Sequence, residues 1–445
     1  MDIFKNRNFS LMFIGRILTN IGDSLYAVAA MWLVYDLGGS TLYTGLAGFL
    51  SIIPKIIQLL SGPIIDRIPI RGVLVYSQLI QGTLLLIVPI ASYFGFLSVG
   101  LVLIITPILT TCNTWVYPAQ MSALPKILEK KQLTQGNSLF SVAYQGIDVA
   151  CNAVSGILIG VLGAVSLYLW NSMGFFIGAL LFSQIRIKSA GVKSEANSED
   201  NSEISSVVDS EAKMNPSARK NNYFSDLMDG VRLLVKTPLS KLLFGIIIIN
   251  AAGGATFSVL PMYSDHLGGA DIYGILLMAQ ALGSLLGALI VPYFRFERIR
   301  LGRIYSFAFI LSGLAWSLST YSPWIWITVL IYGLAWFPGG AVNVIINTVV
   351  QKGVPPQYLG LIFSATMALS GMALPLGSLI GGSLGVWLNS STIISLCGVI
   401  VMLVGVYWSI DKSSRNLPAP EHIHEGFFDF SRGNDVVSLQ KDMKA

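Results

Sequence analysis

Charged residues are scarce in this chain of 445 residues: Asp, Glu, Lys and Arg make up 11%, against about 25% in an ordinary soluble domain. Hydrophobic residues account for 53%, and the mean hydropathy is +0.68. The three cysteines all lie inside apolar runs, which excludes a disulfide scaffold and indicates inert buried thiols. A net charge of +5 does not indicate a nucleic-acid partner in such a chain. The composition instead predicts an integral membrane protein.

No apolar run alternates with period two, which excludes a β-barrel and leaves helices as the spanning elements. A spanning helix needs about 20 apolar residues, and the first apolar run lacks the small-residue cleavage site of a signal peptide. We therefore predict an all-α membrane protein with twelve transmembrane helices. The predicted spans are 9–35, 42–65, 73–94, 98–123, 136–162, 164–185, 238–264, 270–293, 303–320, 323–350, 359–387 and 390–410.

The 28 Lys and Arg residues predict the orientation. Arg16 and Lys55 lie inside predicted spans. The others are in or beside the N-terminus, the loops after even-numbered spans, and the C-terminal tail, whereas odd-numbered loops such as 36–41 and 320–323 have none. By the positive-inside rule, both termini and the long central segment are cytoplasmic.

The long central segment differs in composition from the spans around it. Residues 187–222 are rich in Ser, Glu and Asn, which predicts a disordered linker. An amphipathic stretch from Phe224 to Leu234 follows and is expected to lie on the membrane surface until Pro238 ends it. The tail after residue 410 has mixed charge and is expected to fray. The predicted regions are a six-helix bundle at 1–186, a linker with a surface helix at 187–237, a second six-helix bundle at 238–410 and a cytoplasmic tail at 411–445.

The two groups of six spans repeat one another. Leu37-Gly38-Gly39, followed by Tyr43, returns as Leu267-Gly268-Gly269, followed by Tyr273, at an offset of 230 residues. Phe140-Ser141 returns in span 11 as Phe363-Ser364. Six spans, a linker and six equivalent spans indicate two pseudo-symmetric bundles related by an axis along the membrane normal, with a substrate site between them.

The loop after span 2 carries Gly62, Asp66, Arg67 and Arg71, which resembles the loop signature of the major facilitator superfamily. Two departures are visible: Pro69-Ile70 stand where the family has glycine before its second basic residue, and Arg71 falls one position late. The resemblance extends over residues 8–410 and implies the major facilitator fold.

Within that superfamily, the chain is similar to the drug:proton antiporter branch, which includes macrolide efflux proteins and the enterobactin exporter. The matching residues are Gly22-Asp23-Ser24-Leu25-Tyr26, Trp32-Leu33-Val34-Tyr35 and the Asp226 to Leu239 stretch. Lysophospholipid transporters are more distant relatives of this branch. The resemblance implies export of a small molecule.

Asp66 is expected at the cytoplasmic end of span 2. In the superfamily fold span 11 begins nearby, around Leu359-Gly360, and the positive end of its helix dipole attracts a carboxylate. Such a contact would hold the two bundles together at the cytoplasmic side. The alternative is that Asp66 and Arg67 cap a helix and face water.

Four ionisable residues lie at related depths within the spans: Asp23, Asp148, Lys55 and Arg16. A charge at the bilayer centre costs about 2.5–3.5 kcal/mol on insertion scales, so intramembrane charges are usually functional. A carboxylate that loses its water when a cavity closes takes up a proton, which makes the two aspartates candidates for proton coupling. The alternative is a permanent ion pair, with Lys55 as the partner of Asp23 or Asp148.

The resemblance implies that spans 1, 4, 7 and 10 face a central cavity. Polar and aromatic side chains at helical spacing on spans 4, 5 and 10 are the candidates for its lining, although amides in a membrane also bond across helices. These candidates are Asn113, Tyr117, Gln120, Gln145, Asn152, Trp336, Asn343 and Asn347. A pocket of aromatic rings and amides with few charges suits a bulky amphiphile.

Three functional hypotheses remain open from the sequence. The first is a proton-coupled antiporter that exports hydrophobic or amphipathic molecules such as drugs, with antibiotic resistance as a consequence. The second is an exporter or flippase of an endogenous siderophore, peptide or lysophospholipid, and the third is a non-transporting immunity or receptor protein. The sequence has no P-loop and no nucleophile constellation, so we expect neither an enzyme nor a bound cofactor or metal. The expected partners are a small-molecule substrate, protons and membrane lipid, for a monomer in a bacterial cell membrane.

Overall fold

The computed structural model describes residues 2–54, 57, 69–129, 132–186, 240–293, 298–354 and 356–423. Within these ranges the chain is almost entirely helical and has no strand. The main helices are α1 (Arg7–Gly38), α2 (Thr41–Leu50), α3 (Ile70–Tyr93), α4 (Val99–Ile127), α5 (Leu133–Leu162), α6 (Ala164–Ser183), α7 (Ser240–Leu267), α8 (Ala270–Ile290), α9 (Leu301–Ser319), α10 (Ile325–Gly353), α11 (Pro356–Leu384), α12 (Ser390–Ile410) and the short α13 (Lys412–Arg415).

Nine helices in the described ranges are long and apolar enough to cross a membrane, and α5, which is bent by 44°, makes a tenth. The apolar parts of α2 and α11 that the structure describes are shorter. The predicted linker with its surface helix, residues 187–237, lies outside the described residues. The all-α membrane fold expected from the sequence is confirmed.

The turn between α1 and α2 shows how local sequence sets the helix ends. Gly39 has φ +60° and donates its backbone N–H to the carbonyl of Tyr35 at 2.8 Å. A left-handed residue of this kind ends a helix, and glycine adopts the conformation without a Cβ penalty. Ser40 then caps α2 by accepting a hydrogen bond from the N–H of Leu42. At the equivalent turn in the repeat, Gly268 and Gly269 also have positive φ.

Each half of the chain packs as its own bundle. In the N-half (α1–α6), α1 packs against α4, α5 and α6, and α3 packs against α4 and α6. In the C-half (α7–α12), α7 packs against α11 and α12, α8 against α10, and α9 against α10 and α12. Helices related by the sequence repeat thus have related neighbours.

The most extensive contacts between the described parts of the two halves are two equivalent helix pairs, α2 with α11 and α5 with α8. A Cβ built on Gly45 would lie 2.8 Å from the Cα of Gly382, and one on Gly274 would lie 2.6 Å from the Cα of Gly156. Both contacts lie towards the loops that follow odd-numbered helices, here called the odd-loop end. The protein is therefore closed at the odd-loop end by direct contact between helix backbones.

Residues 411–423 pack against the bundle, so the expectation that the tail frays from residue 411 is wrong for this part. The Nζ of Lys241 lies 2.8 Å from Oδ1 of Asp411, and hydrogen bonds from Lys241 and Ser414 lower the pKa of Asp411 to about 2. Apolar anchoring accompanies these bonds, because Leu417 is 4% exposed and Ile423 is 5% exposed. Mixed charge in the sequence does not reveal these contacts.

Candidate functional site

A cavity of about 250 Å³ lies in the N-half between α1, α2, α3, α4 and α6. Phe257 of α7 and Leu374 of α11 complete its wall from the C-half. Its lining is mainly apolar, and among the described residues Asp23 is the one acidic side chain in it. This cavity, the N-half cavity, is therefore a place where one carboxylate meets apolar surface from both halves.

Asp23 interacts there with Asn113, the second predicted residue that lines the N-half cavity. The Asp23 carboxylate also interacts electrostatically with Arg16 and Asp148. The spacing of seven residues places Arg16 and Asp23 on one face of α1, two turns apart. The carboxylate thus has a neutral amide beside it and a cation further along the same helix.

Arg16 is 3% exposed and is held by neutral groups. Its Nε donates to Oε1 of Gln120 at 2.9 Å and to the Tyr144 hydroxyl at 3.0 Å, and its Nη1 donates to Oγ1 of Thr19 at 3.3 Å. Hydrogen bonds to a charged group contribute about 1.5–3 kcal/mol each, which is comparable with the cost of a charge at membrane depth. Within the described ranges, neutral partners therefore account for this buried guanidinium without a carboxylate bonded to it.

Asp148 of α5 accepts a hydrogen bond at 2.6 Å from the hydroxyl of Ser24, the residue that follows Asp23 in α1. One turn beyond Asp148, Asn152 lines a cavity of about 180 Å³ between the halves, beside Tyr273 and Gln280 of α8. The side chains of Lys55 and Gln145 lie outside the described residues. The structure thus brings Asp23 and Asp148 to the same contact between α1 and α5.

A second cavity, the C-half cavity, has a volume of about 430 Å³ and lies between α7, α8, α9, α10 and α11. Trp336, Asn343 and Asn347 share its wall with Asn250 of α7 and Trp316 of α9. No charged side chain lines it within the part of the chain that the structure describes. The two cavities therefore differ in charge.

The remaining predicted residues lie elsewhere. Gln120 is fully buried against Arg16, and Tyr117 is 53% exposed and lines neither cavity. Arg71, at the start of α3, donates a hydrogen bond to the carbonyl of Ser183 at the end of α6. A cation at a helix C-terminus is favourable. Gly62, Asp66 and Arg67 lie outside the described residues.

The participants that were not anticipated from the sequence include Ser24, Tyr144, Asn250 and Trp316. For two of them the sequence contains a feature that could have identified them. Tyr144 is four residues before Asp148, on the same face of α5, and Asn250 is a lone amide after four isoleucines. Ser24 and Trp316 had no such signal, because small hydroxyls and aromatic rings are ordinary residues of packed membrane helices.

Comparison with known proteins places this geometry in a family. Residues 12–373 match the family described as Major Facilitator Superfamily. The chain is 23% identical to the multidrug efflux pump Tap of Mycolicibacterium fortuitum over 91% of this chain and 97% of that protein. It is 21% identical to macrolide efflux protein A of Streptococcus pyogenes over 93% of this chain and 99% of that protein. These relatives confirm the resemblance to the efflux branch.

A solved structure shows the same fold. A bacterial homologue of the human lysosomal transporter Spinster, in an inward-facing and occupied conformation, superposes with a TM-score of 0.64 at 12% identity. The match covers 94% of this chain and 98% of that one.

Proposed function

The chain belongs to the Major Facilitator Superfamily, and we propose that it is a proton-coupled antiporter that exports hydrophobic or amphipathic small molecules. Membership of this family makes the protein a membrane transporter and not an enzyme. Two of its relatives are named as efflux pumps for macrolides and for several drugs. These relatives support export as the direction of transport.

The observation that carries the proposal is the position of Asp23. Its carboxylate is the one acidic group that the described part of the chain contributes to a cavity whose wall includes residues of both halves. Because Phe257 and Leu374 belong to the C-half, a movement of the halves changes how much water reaches Asp23. Desolvation favours the neutral form of a carboxylate, so such a movement changes its affinity for a proton.

The proposed cycle follows from that coupling. With the odd-loop end closed, as in this structure, Asp23 releases its proton to the opposite side and the substrate binds. Arg16 stabilises the resulting carboxylate from two turns away while Gln120 and Tyr144 hold its guanidinium in place. When the odd-loop end opens, the substrate leaves and Asp23 takes up a proton from that side. We place this end outside the cell, as the positive-inside rule indicates.

Asp66 is the proposed gate of the opposite end. Helix α11 begins at Pro356 in the structure, a residue type favoured in the first helical turn. A carboxylate at the end of span 2 would face the free N–H groups of that turn when the halves close there. We propose that Arg71 holds α3 against α6 within the N-half through its bond to the Ser183 carbonyl.

Everted membrane vesicles provide the test of this function. Respiration acidifies their lumen, and we expect radiolabelled erythromycin or tetraphenylphosphonium to accumulate inside and to leave when an uncoupler is added. Asp23→Asn should abolish accumulation, whereas Asp36→Asn, an exposed acid on the same helix, should not. Accumulation that survives the uncoupler would exclude proton coupling, and equilibrium binding without accumulation would indicate a receptor.

A further inference from the structure

The C-half cavity has features that proton coupling does not use. Its volume of about 430 Å³ falls within the range of small-molecule sites, about 300–1,000 Å³. Its described wall combines apolar side chains with hydroxyls, amides and two indoles. Its described lining shares no residue with that of the N-half cavity, which holds Asp23.

Two tryptophans of this wall have unused hydrogen-bond donors. Trp316 and Trp336 contact each other, with ring centroids 5.0 Å apart. Among the described residues, the buried Nε1 of Trp316 has no acceptor, and Trp316 is 3% exposed. The buried Nε1 of Trp336 has the Tyr332 hydroxyl beside it but no hydrogen bond of ordinary geometry. A buried N–H without a partner is destabilising, and native proteins rarely leave one. Two such donors side by side in a cavity indicate that a bound molecule supplies the acceptors.

The amides of the cavity extend the same recognition. The Nδ2 of Asn250 donates to the Ile246 carbonyl of its own helix at 2.9 Å. Its side-chain oxygen is then the atom that can accept a hydrogen bond from a ligand. Asn343 and Asn347 lie one turn apart on α10 and supply both donors and acceptors. This wall therefore matches hydroxyl, carbonyl and ether groups on an otherwise apolar molecule.

We propose that the C-half cavity binds a neutral, oxygen-bearing ring portion of the transported molecule, whose oxygens accept hydrogen bonds from Trp316 and Trp336. The inference rests on the proposed function, because it takes the ligand to be the exported substrate. Substrate recognition then belongs to the C-half and proton binding to the N-half. Substitutions in one cavity should change one of these properties and spare the other.

Binding to the purified full chain, measured by isothermal titration calorimetry, tests the proposal. Erythromycin is the first probe, since it is a macrocycle rich in carbonyl and hydroxyl oxygens, and tetraphenylphosphonium is the second, since it has aromatic rings but no acceptor. Trp316→Phe and Trp336→Phe keep a ring and remove the donor. We expect each to weaken erythromycin binding by about 2- to 10-fold, the effect of one neutral hydrogen bond, and to leave tetraphenylphosphonium binding within about twofold. Trp324→Phe, at a site that is 69% exposed, is the matched control.

A cavity-filling variant tests the same cavity without changing either indole. A Cβ on Gly339, which lines the cavity, would meet no atom within 4 Å, so Gly339→Leu fills the space without displacing the backbone. We expect this variant to lose erythromycin binding by more than either phenylalanine variant, whereas Gly100→Leu, which also has open space around it, should bind normally.

Each contrary result has a defined meaning. Wild-type affinity for erythromycin in all three cavity variants would overturn the subsite, and so would an unchanged affinity in both phenylalanine variants alone. An absence of erythromycin binding to the wild type would overturn the substrate class. The vesicle assay with tetraphenylphosphonium tests the proposed function separately. The subsite or the substrate class can therefore be wrong while proton-coupled export remains correct.

Discussion

The hydroxyl of Tyr35 donates a hydrogen bond to Oδ2 of Asp265 at 3.0 Å, and the two residues are 230 positions apart. That separation equals the offset of the sequence repeat, so the bond joins equivalent positions of the two halves. It therefore lies at the pseudo-twofold axis, at the odd-loop end. Trp32 packs nearby on Tyr273 with ring centroids 5.8 Å apart. A bond on the axis is made or broken by the movement that opens this end.

We predict that Tyr35→Phe shifts the protein towards states that are open at the odd-loop end. A neutral donor lost at an exposed site removes about 0.5–1.5 kcal/mol, or a change of about 2- to 10-fold in the ratio of the states. Spin labels at Ser92→Cys and Ser322→Cys, themselves related by the repeat, report the change as a longer distance in double electron–electron resonance. Asp265→Ala, which removes the acceptor, and the double variant should shift the distance by the same amount as Tyr35→Phe. Additive shifts would show that the two side chains act independently.

The glycine contact between α5 and α8 predicts a larger effect. A methyl group on Gly274 would lie 2.6 Å from backbone atoms of Gly156, and backbone cannot move aside as a side chain can. Overpacking of this kind costs about 1–3 kcal/mol. Gly274→Ala should therefore populate the long spin-label distance more than Tyr35→Phe does, with reduced export at normal expression. Gly100→Ala is the control. An unchanged distance in Gly274→Ala would mean that closure does not need this backbone contact.

The proposed gate predicts the opposite shift at the other end. Asp66→Asn keeps the size of the side chain and removes the charge that the proposed gate sets against the α11 dipole, so closure of the end opposite the odd-loop end would lose a stabilising contact. We expect normal insertion, a further bias towards the conformation closed at the odd-loop end, and much reduced export. Wild-type export by this variant would indicate that Asp66 only caps its helix in water.

The orientation predicts which exposed positions react from outside the cell. Ser92 at the end of α3 and Ser413 in α13 are both exposed, and the three native cysteines are buried. An impermeant maleimide should label Ser92→Cys in intact cells and Ser413→Cys only after permeabilisation. The reverse pattern would place the odd-loop end in the cytoplasm and invert the proposed direction of transport.

Helix positions could be predicted from the sequence more closely than side-chain partners. Hydropathy predicted a first span at 9–35, and α1 runs from Arg7 to Gly38 because Asn6 and Gly39, which are not apolar, set its ends. The repeat predicted two bundles but not their contacts. Arg16 bonds to Tyr144, which is 128 residues away in the sequence. The packing of α1 on α5 brings the two together, and no local sequence pattern encodes that packing.

Residue type and depth pointed to Asp23 and Asn343 as polar groups inside the membrane, but not to the different cavities that they line. Trp316 was missed because the polar residues on its face of α9, Ser312 and Ser319, are small hydroxyls of the kind common in packed membrane helices. Gln120 was predicted as cavity lining from its spacing with Asn113 and lies instead against Arg16. A helical face predicted from spacing therefore does not distinguish a cavity from a buried hydrogen bond.

The central claim is that Asp23 carries the coupling proton, and Asp148, bonded to Ser24 beside it, is the alternative carrier. The most direct measurement is proton release from the purified protein in weakly buffered solution when tetraphenylphosphonium is added. We expect release from the wild type, none from Asp23→Asn, which holds a neutral and nearly isosteric side chain, and release from Asp148→Asn and from the control Asp36→Asn. Binding of the probe by Asp23→Asn, measured in parallel, shows that the variant is folded. Proton release that persists in Asp23→Asn and disappears in Asp148→Asn would contradict the account and move the coupling site to α5.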